Sequence, residues 1–241
     1  MIGRVSRTLG VTGLAATPKP PPVEIVPAIL VKDRRALGLR LEAVAGVAKR
    51  VQIDIMDGRF VPNRTVAPEV LAGLDTPLKL EAHLMVKNPL AAMTAVGNNA
   101  AAFLVHIETC GRGTKIDGRP SVAELAQKAR DLGASFGLAL NPETPLEAVK
   151  PHLALCDELV IMTVKPGFGG QPFKTELLGK IREARRLAPT LSIAVDGGIH
   201  EDTAAQAVSA GANLLVAGSA LFRDADIPAA ARRLLQAATA T

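Results

Sequence analysis

Hydrophobic residues fall into eight short runs along the chain, and longer Ala- and Leu-rich stretches separate these runs. The runs have the length and composition of buried β-strands, whereas the stretches between them have the apolar spacing of helices. The predicted strands cover residues 24–31, 51–55, 78–85, 102–107, 135–140, 158–164, 191–195 and 213–217. Eight alternating strand–helix units without a long structureless loop predict an α/β fold, specifically a (β/α)₈ TIM barrel.

Local signals mark the starts of two predicted helices. Ser121 and Glu124 have the spacing of a capping box, and Thr144 before Pro145 resembles an N-cap residue followed by proline at the first helical position. A doubly wound open sheet is the alternative fold, and a glycine-rich fingerprint after the first strand would favour it. The first strand instead contains Pro-Ala-Ile-Leu at residues 27–30, which favours the barrel.

The second predicted strand carries polar residues where a buried parallel strand is normally apolar. Val51, Ile53 and Ile55 alternate with Gln52 and Asp54, so the two polar side chains share one face of the strand. A buried carboxylate has to be hydrogen-bonded, paired with a cation or bound to a metal. Asp54 is therefore either a salt-bridged residue of the core or part of a functional site.

Polar residues also stand at the ends of other predicted strands, where a barrel places its active site. These residues are His83, His106, Glu108, Asn141 and Asp196. His152 and His200 fall in helical or loop contexts, where we expect them to be solvated. Lower in the third strand, Lys79 and Glu81 share the face of His83 and form a predicted pair, whose role is either structural or functional.

Glycines gather on the three loops that follow the last three predicted strands. Their backbone N–H groups can approach an anion closely, and barrels typically build phosphate sites in this region. A tight turn also uses glycine, but three clusters together favour a phosphate pocket. The predicted phosphate-site residues are Gly167, Phe168, Gly169, Gly170, Gly197, Gly198, Gly218 and Ser219. Residues 167–170 also have the composition of a mobile lid.

Composition narrows the classes of function. Of the 241 residues, 48% are hydrophobic and 21% are charged, as in a globular protein with a sizeable core. Aromatic residues make up 2%, which removes the stacking platforms of a single-strand nucleic-acid binder. The net charge is +5, but three positive charges lie in the first 23 residues and no basic run follows, so we expect no nucleic-acid partner. We also expect no membrane span, because no apolar run is long enough.

Residues 1–23 have a different character from the rest. They contain no acidic residue and end in a proline-rich stretch, which predicts a flexible basic extension ahead of one barrel domain over residues 24–241. The extension resembles either a disordered bacterial terminus or an organelle transit peptide. We therefore expect a cytoplasmic protein, with plastid or mitochondrion as the alternative. Cys110 and Cys156 have neither metal spacing nor a disulfide framework, which indicates a reducing compartment.

Longer blocks of sequence resemble the ribulose-phosphate 3-epimerase family over residues 24–225. Blocks of this length in this order are highly specific. They cover residues 27–30, 54–63, 83–86, 106–108, 137–142, 162–171, 195–199 and 218–220.

The resemblance implies a TIM barrel of the ribulose-phosphate-binding type that interconverts D-ribulose 5-phosphate and D-xylulose 5-phosphate. It implies that Asp54 and Asp196 act as acid and base on opposite faces of the sugar C3, through an enediolate. It also implies a divalent metal bound by these two aspartates and His83. Met56, Met85 and Met162 match methionines that line the family's pocket. By analogy, the protein would form a homo-oligomer.

The sequence departs from the family at two positions. Gln52 stands where the family usually has its other metal-binding histidine, and Ala28 stands where a serine usually contacts substrate. A glutamine oxygen suits a hard cation such as Mg²⁺ or Mn²⁺ better than Zn²⁺ or Fe²⁺. Zn, Fe, Mn, Mg and Co all remain candidates, because three protein ligands are enough for a catalytic site.

Three other functions compete with this interpretation. An epimerase of a related ketose such as allulose 6-phosphate would use the same two aspartates. A phosphosugar-binding barrel without catalysis would explain Gln52 and Ala28. Decarboxylases and hexulose-phosphate synthases on similar barrels carry an Asp-x-Lys-x-x-Asp pattern, and this chain has Met56 where that lysine is needed.

Overall fold

Eight parallel strands close into one barrel, in chain order. The computed structural model describes residues 20–111 and 118–240. Each strand pairs with its neighbours in sequence, and the eighth pairs with the first. The strands are β1 Glu24–Ile29, β2 Arg50–Met56, β3 Lys79–Met85, β4 Ala102–His106, β5 Ser135–Leu140, β6 Glu158–Met162, β7 Ser192–Asp196 and β8 Leu214–Ala217. The predicted TIM barrel is confirmed. The predicted extension over residues 1–23 lies outside the described residues except for its last four.

Helices follow most strands along the outside of the barrel. They are α1 Arg34–Val44, α2 Pro89–Val96, α3 Val122–Asp131, α4 Leu178–Leu187, α5 Glu201–Ser209, α6 Ser219–Phe222 and α7 Ile227–Thr239. The connections from β2 to β3 and from β5 to β6 contain only 3₁₀ turns, which are Pro68–Leu71, Leu146–Ala148 and Lys150–Leu155. Pro151 lacks the N–H that one helix through both turns of the β5–β6 connection would need, so the two turns stay separate. No helix in the described parts of the chain is long and apolar enough to cross a membrane.

One predicted helix start is present and the other is wrong. Ser121 Oγ accepts a hydrogen bond from Glu124 N at 3.2 Å, and the Glu124 carboxylate accepts one from Ser121 N at 2.8 Å. Pro145 instead has an extended conformation and precedes a 3₁₀ turn. The Thr144 hydroxyl donates to the carboxylate of Glu108, not to a helix end. A largely buried carboxylate needs such donors, which explains why this bond replaces the cap.

The two faces of the strands build two hydrophobic layers. Val51, Ile53 and Ile55 of β2 pack between the barrel and its helices. A smaller apolar cluster, with Leu104 among its members, fills part of the barrel interior. Gln52 is fully buried on the opposite side of β2 from these aliphatic residues, so the predicted alternation holds.

Charged side chains gather at the amino-terminal end of the barrel around Arg50. Its guanidinium lies 2.8 Å from Glu81, 3.3 Å from Glu24 and 3.6 Å from Glu158. The predicted pairing of Glu81 with Lys79 is therefore wrong: Lys79 is exposed, whereas Arg50 offers several donors that serve three carboxylates at once. Burial, with the nearby charge of Glu81, raises the pKa of Glu158 to about 8.

Candidate active site

Three predicted metal ligands come together at the carboxyl-terminal end of the barrel. Asp54 on β2 and His83 on β3 are direct partners in the strand register, and Asp196 is the last residue of β7. His83 Nδ1 lies 3.2 Å from Asp54 Oδ1 and 3.4 Å from Asp196 Oδ2. The three ligand atoms lie within 4.8 Å of one another, so this cluster could hold a metal ion.

Gln52, the fourth predicted ligand, touches all three of these residues. Its Nε2 donates to Asp54 Oδ1 and to Asp196 Oδ2 at 2.8 Å each, and it lies 3.1 Å from His83 Nδ1. Tetrahedral bonds of about 2.0–2.1 Å place ligand atoms about 3.3 Å apart, so the spacing to His83 is close to that value and the two hydrogen bonds are shorter. Gln52 therefore stands where a fourth ligand of the cluster, at its fourth corner, would lie.

The side-chain amide of Gln52 points its nitrogen at the cluster and its oxygen away from it. Oε1 is buried and has no hydrogen-bond partner among the described residues. The two ends of an amide have nearly the same shape, and a cation can be bound only by the oxygen. Rotation of the amide by half a turn would bring the unpartnered oxygen to the fourth corner. Gln52 therefore can serve as a fourth metal ligand in that orientation alone.

A chain of hydrogen bonds continues from His83 away from the carboxylates. His83 Nε2 lies 3.0 Å from His106 Nε2, and His106 Nδ1 lies 3.2 Å from Glu108 Oε2. We assign His106 Nδ1–H as the donor to Glu108, so His106 Nε2 accepts from His83 Nε2–H. This order leaves His83 Nδ1 as the atom that faces the carboxylates and any metal. These hydrogen bonds mean that His106 and Glu108 orient the His83 ring, a role that their location at a strand end does not reveal.

Burial and neighbouring charges shift the pKa values in this cluster. Burial raises the pKa of Asp54, and the charge of Asp196 adds to that rise. Burial opposes protonation of His83, but hydrogen bonds to Asp196 and Asp54 outweigh it and raise the His83 pKa to about 9. Burial and the His83 charge lower the pKa of His106. Burial also disfavours ionised Glu108, yet its bonds to His106, Thr144 and the Asn141 N–H give it a lowered pKa.

One cavity of about 250 Å³ opens above the cluster. Asp54 and Asp196 form part of its wall, and the three predicted methionines and all eight predicted phosphate-site residues line it as well. Gln52 and His83 lie beneath this surface and are fully buried. Ala28 also lines the cavity. His152 and His200 do not.

The turn after β7 requires glycine. Gly197 and Gly198 have φ angles of 117° and 68°, which side-chain-bearing residues rarely adopt. A Cβ on Gly198 would lie 2.5 Å from the backbone nitrogen of Phe173, and a Cβ on Gly197 would lie 2.3 Å from Val164 Cγ2. The backbone of this turn is therefore held close to the loop after β6.

Hydrogen bonds hold the predicted lid, residues 167–170, at several points. Asn63 Nδ2 donates to the Gly167 carbonyl at 2.6 Å, and Gln171 Nε2 donates to the carbonyls of Lys165 and Phe168 at 2.7 Å each. Phe168 stands at the cavity rim with 54% of its surface exposed. Movement of this loop stays a prediction.

Two arginines of the cavity wall carry no recognisable signal in the sequence. Arg40 lies on α1 and Arg223 directly follows α6, and both line the cavity. Neither belongs to a glycine cluster or a strand end, so only the closed barrel reveals their position.

Comparison with known proteins assigns the family. A model described as "Ribulose-phosphate 3 epimerase family" matches residues 24–222, which is most of the chain. The chain belongs to this family. It is 38% identical over 213 residues to a ribulose-phosphate 3-epimerase of Bacillus subtilis, covering 85% of this chain and 94% of that protein. It is also 37% identical to the cytoplasmic isoform of the ribulose-phosphate 3-epimerase of Oryza sativa, and the match covers 84% of this chain and 89% of that protein. The prediction of an isomerase of the epimerase type is confirmed at the level of the family.

Solved structures with lower sequence identity share the fold. A 3-hexulose-6-phosphate synthase from Salmonella typhimurium superposes with a TM-score of 0.63 at 15% identity, covering 90% of this chain and 98% of that one. An orotidine 5'-monophosphate decarboxylase from Sulfolobus solfataricus superposes with a TM-score of 0.58 at 14% identity, and the match covers 90% of this chain and 97% of that one. At these identities the likeness concerns the barrel and not its chemistry.

Proposed function

We propose that the protein interconverts D-ribulose 5-phosphate and D-xylulose 5-phosphate by proton transfer at C3. One observation supports this most strongly: Asp54 and Asp196 line the same cavity as the glycine loops. The relatives named ribulose-phosphate 3-epimerase, at 36–38% identity over most of the chain, support the same substrate pair.

The proposed reaction requires an acid and a base on opposite sides of one carbon. Asp54 comes from β2 and Asp196 from β7, and β1 and β8 lie between these strands in the barrel. Within the described chain, each aspartate uses one oxygen in the Gln52 and His83 cluster, which leaves its second oxygen for substrate. One carboxylate removes the C3 proton and the other, protonated, delivers a proton to the opposite face. In the metal-free protein, burial raises the pKa of Asp54, which makes its carboxylate a stronger base.

The proposed cofactor is a divalent metal held by Asp54, His83, Asp196 and the rotated Gln52 oxygen. Bound there, it would supply positive charge that lowers the free energy of the enediolate. Three oxygens and one nitrogen favour a hard cation such as Mg²⁺ or Mn²⁺ over Zn²⁺. The unpartnered Oε1 of Gln52 supports this proposal, because it is the atom that such an ion would satisfy.

The proposed phosphate site comprises the eight predicted residues of the last three loops. Backbone N–H groups of glycine loops can bind a phosphate without a side chain in the way. Phe168 of this set would cover the site from the rim, and Met56, Met85 and Met162 would form an apolar wall that excludes water from the reacting carbons.

The test compares Asp54→Asn and Asp196→Asn with Asp202→Asn, a matched change at an exposed position of α5. We expect each site variant to lose epimerisation by about 10²–10⁴-fold, which is the typical contribution of an acid–base group. Any remaining exchange of the C3 proton in D₂O should be confined to one epimer, and to opposite epimers in the two variants. Retention of a tenth of the activity by either variant would refute the two-aspartate mechanism. Allulose 6-phosphate and ribulose 5-phosphate should be assayed side by side, because both epimerisations would use these aspartates.

A further inference from the structure

Two arginine side chains converge on the part of the cavity that the glycine loops form. Arg223 begins the turn after α6, and its Nη2 lies 2.9 Å from the position that a Cβ on Gly170 would occupy. Its guanidinium therefore stands directly beside the loop after β6. Arg223 is exposed to solvent, so binding an anion there would not require a buried charge.

Arg40 reaches the same region from α1 and is held in place. Its Cζ lies 4.5 Å from the centre of the Phe222 ring, and its Nη1 donates to the Phe222 carbonyl at 3.4 Å. Stacking on an aromatic face orients a guanidinium without neutralising its charge. Phe222 precedes Arg223 in sequence, so the end of α6 brings both arginines to the cavity.

Neither arginine has a carboxylate partner in the described chain, unlike others of the barrel. Arg50 pairs with three glutamates, and Arg233 pairs with Glu201 and Asp224. The cavity thus has two carboxylates at its base and two unneutralised guanidinium groups in its wall. A ligand with an anionic end would be repelled by the carboxylates and attracted to the arginines.

We propose that Arg223 and Arg40 bind the phosphate group of the substrate through their side chains. The proposal rests on the proposed function, and it adds two residues to the backbone groups of the glycine loops. A guanidinium can give two parallel hydrogen bonds to one phosphate, which fixes direction as well as charge. The two arginines would therefore make the enzyme select phosphorylated ketoses over the free sugars.

The test uses Arg223→Gln and Arg40→Gln, with Arg182→Gln as the matched loss of charge on the exposed face of α4. We expect each site variant to raise KM for ribulose 5-phosphate about tenfold, with kcat within about twofold of wild type. The dissociation constant of inorganic phosphate, measured by calorimetry, should rise by a similar factor. Arg182→Gln should change none of these values, and Arg223→Lys should recover part of the loss because it restores a cation.

Several outcomes would overturn the proposal. One is a phosphate dissociation constant in both site variants within twofold of that of Arg182→Gln. Another is a fall in kcat with unchanged phosphate affinity, which would give the arginines a structural role. A wild-type protein that binds no phosphate would also contradict it. If the wild type lacks epimerase activity but Arg223→Gln still weakens phosphate binding, the proposed function fails and the phosphate site stands. Thermal unfolding shows whether Arg40→Gln folds, and exposed Arg223 supplies the decisive variant if it does not.

Discussion

Replacement of Gln52 by leucine tests whether its amide holds the two carboxylates in place without metal. Gln52→Leu keeps a similar volume but removes the donor that bonds Asp54 and Asp196 at 2.8 Å each. Hydrogen bonds to charged groups contribute about 1.5–3 kcal/mol each, so losing two costs about 3–6 kcal/mol. Removing the unpartnered Oε1 regains about 1–3 kcal/mol. With the middle of each range, we expect the free energy of unfolding to fall by about 2.5 kcal/mol.

The assay is urea unfolding at pH 7 with a chelator present, so that no metal substitutes for the amide. Gln127→Leu is the matched control, because Gln127 also donates to an aspartate at 2.8 Å but on an exposed helix face. Its loss should change stability by less than about 0.5 kcal/mol. If Gln52→Leu is as stable as wild type under these conditions, the amide does not support the carboxylates and the account of Gln52 is wrong.

Three further variants test other parts of the structure. Gln52→His should tighten zinc binding by at least about tenfold, because imidazole is a better zinc ligand than an amide oxygen. The affinity is measured in competition with a chromogenic chelator, and an unchanged value would contradict the four-ligand site. Glu158 has a pKa of about 8 in the folded protein, so between pH of about 4.5 and 8 the native state keeps a proton that the unfolded state has lost. The free energy of unfolding should therefore fall as pH rises through this window, by up to about 1.4 kcal/mol per pH unit. Glu158→Gln should flatten this slope in urea titrations at several pH values, and an unchanged slope would mean that other groups cause it. Gly198→Ala should lower the free energy of unfolding by about 1–3 kcal/mol, because φ at this position is 68° and the added Cβ would meet Phe173. An unchanged free energy of unfolding would show that this turn is not constrained.

Alternation along β2 and β3 was enough to predict part of the site. Gln52 and Asp54 share a face by their spacing of two residues, and His83 joins them because neighbouring parallel strands end at the same edge. The apolar runs predicted the strands themselves because each is bounded by polar or glycine-rich segments. These inferences need only local geometry.

Contacts between distant segments could not be predicted in this way. The orientation of the Gln52 amide depends on Asp196, which barrel closure brings beside it across 144 positions of sequence. The partner of Glu81 depends on the long reach of Arg50 from the neighbouring strand. Arg40 and Arg223 line one cavity only because the end of α6 lies against Arg40 of α1. The cytoplasmic location and the homo-oligomeric state stay predictions.

The central claim is that a proton is removed from C3 and replaced by one from solvent. The most direct measurement follows wild-type protein with ribulose 5-phosphate and Mn²⁺ or Mg²⁺ in D₂O by NMR. We predict that xylulose 5-phosphate forms and carries deuterium at C3 and at no other carbon. Formation of xylulose 5-phosphate with its original C3 hydrogen retained, or no conversion with any divalent metal, would contradict the account.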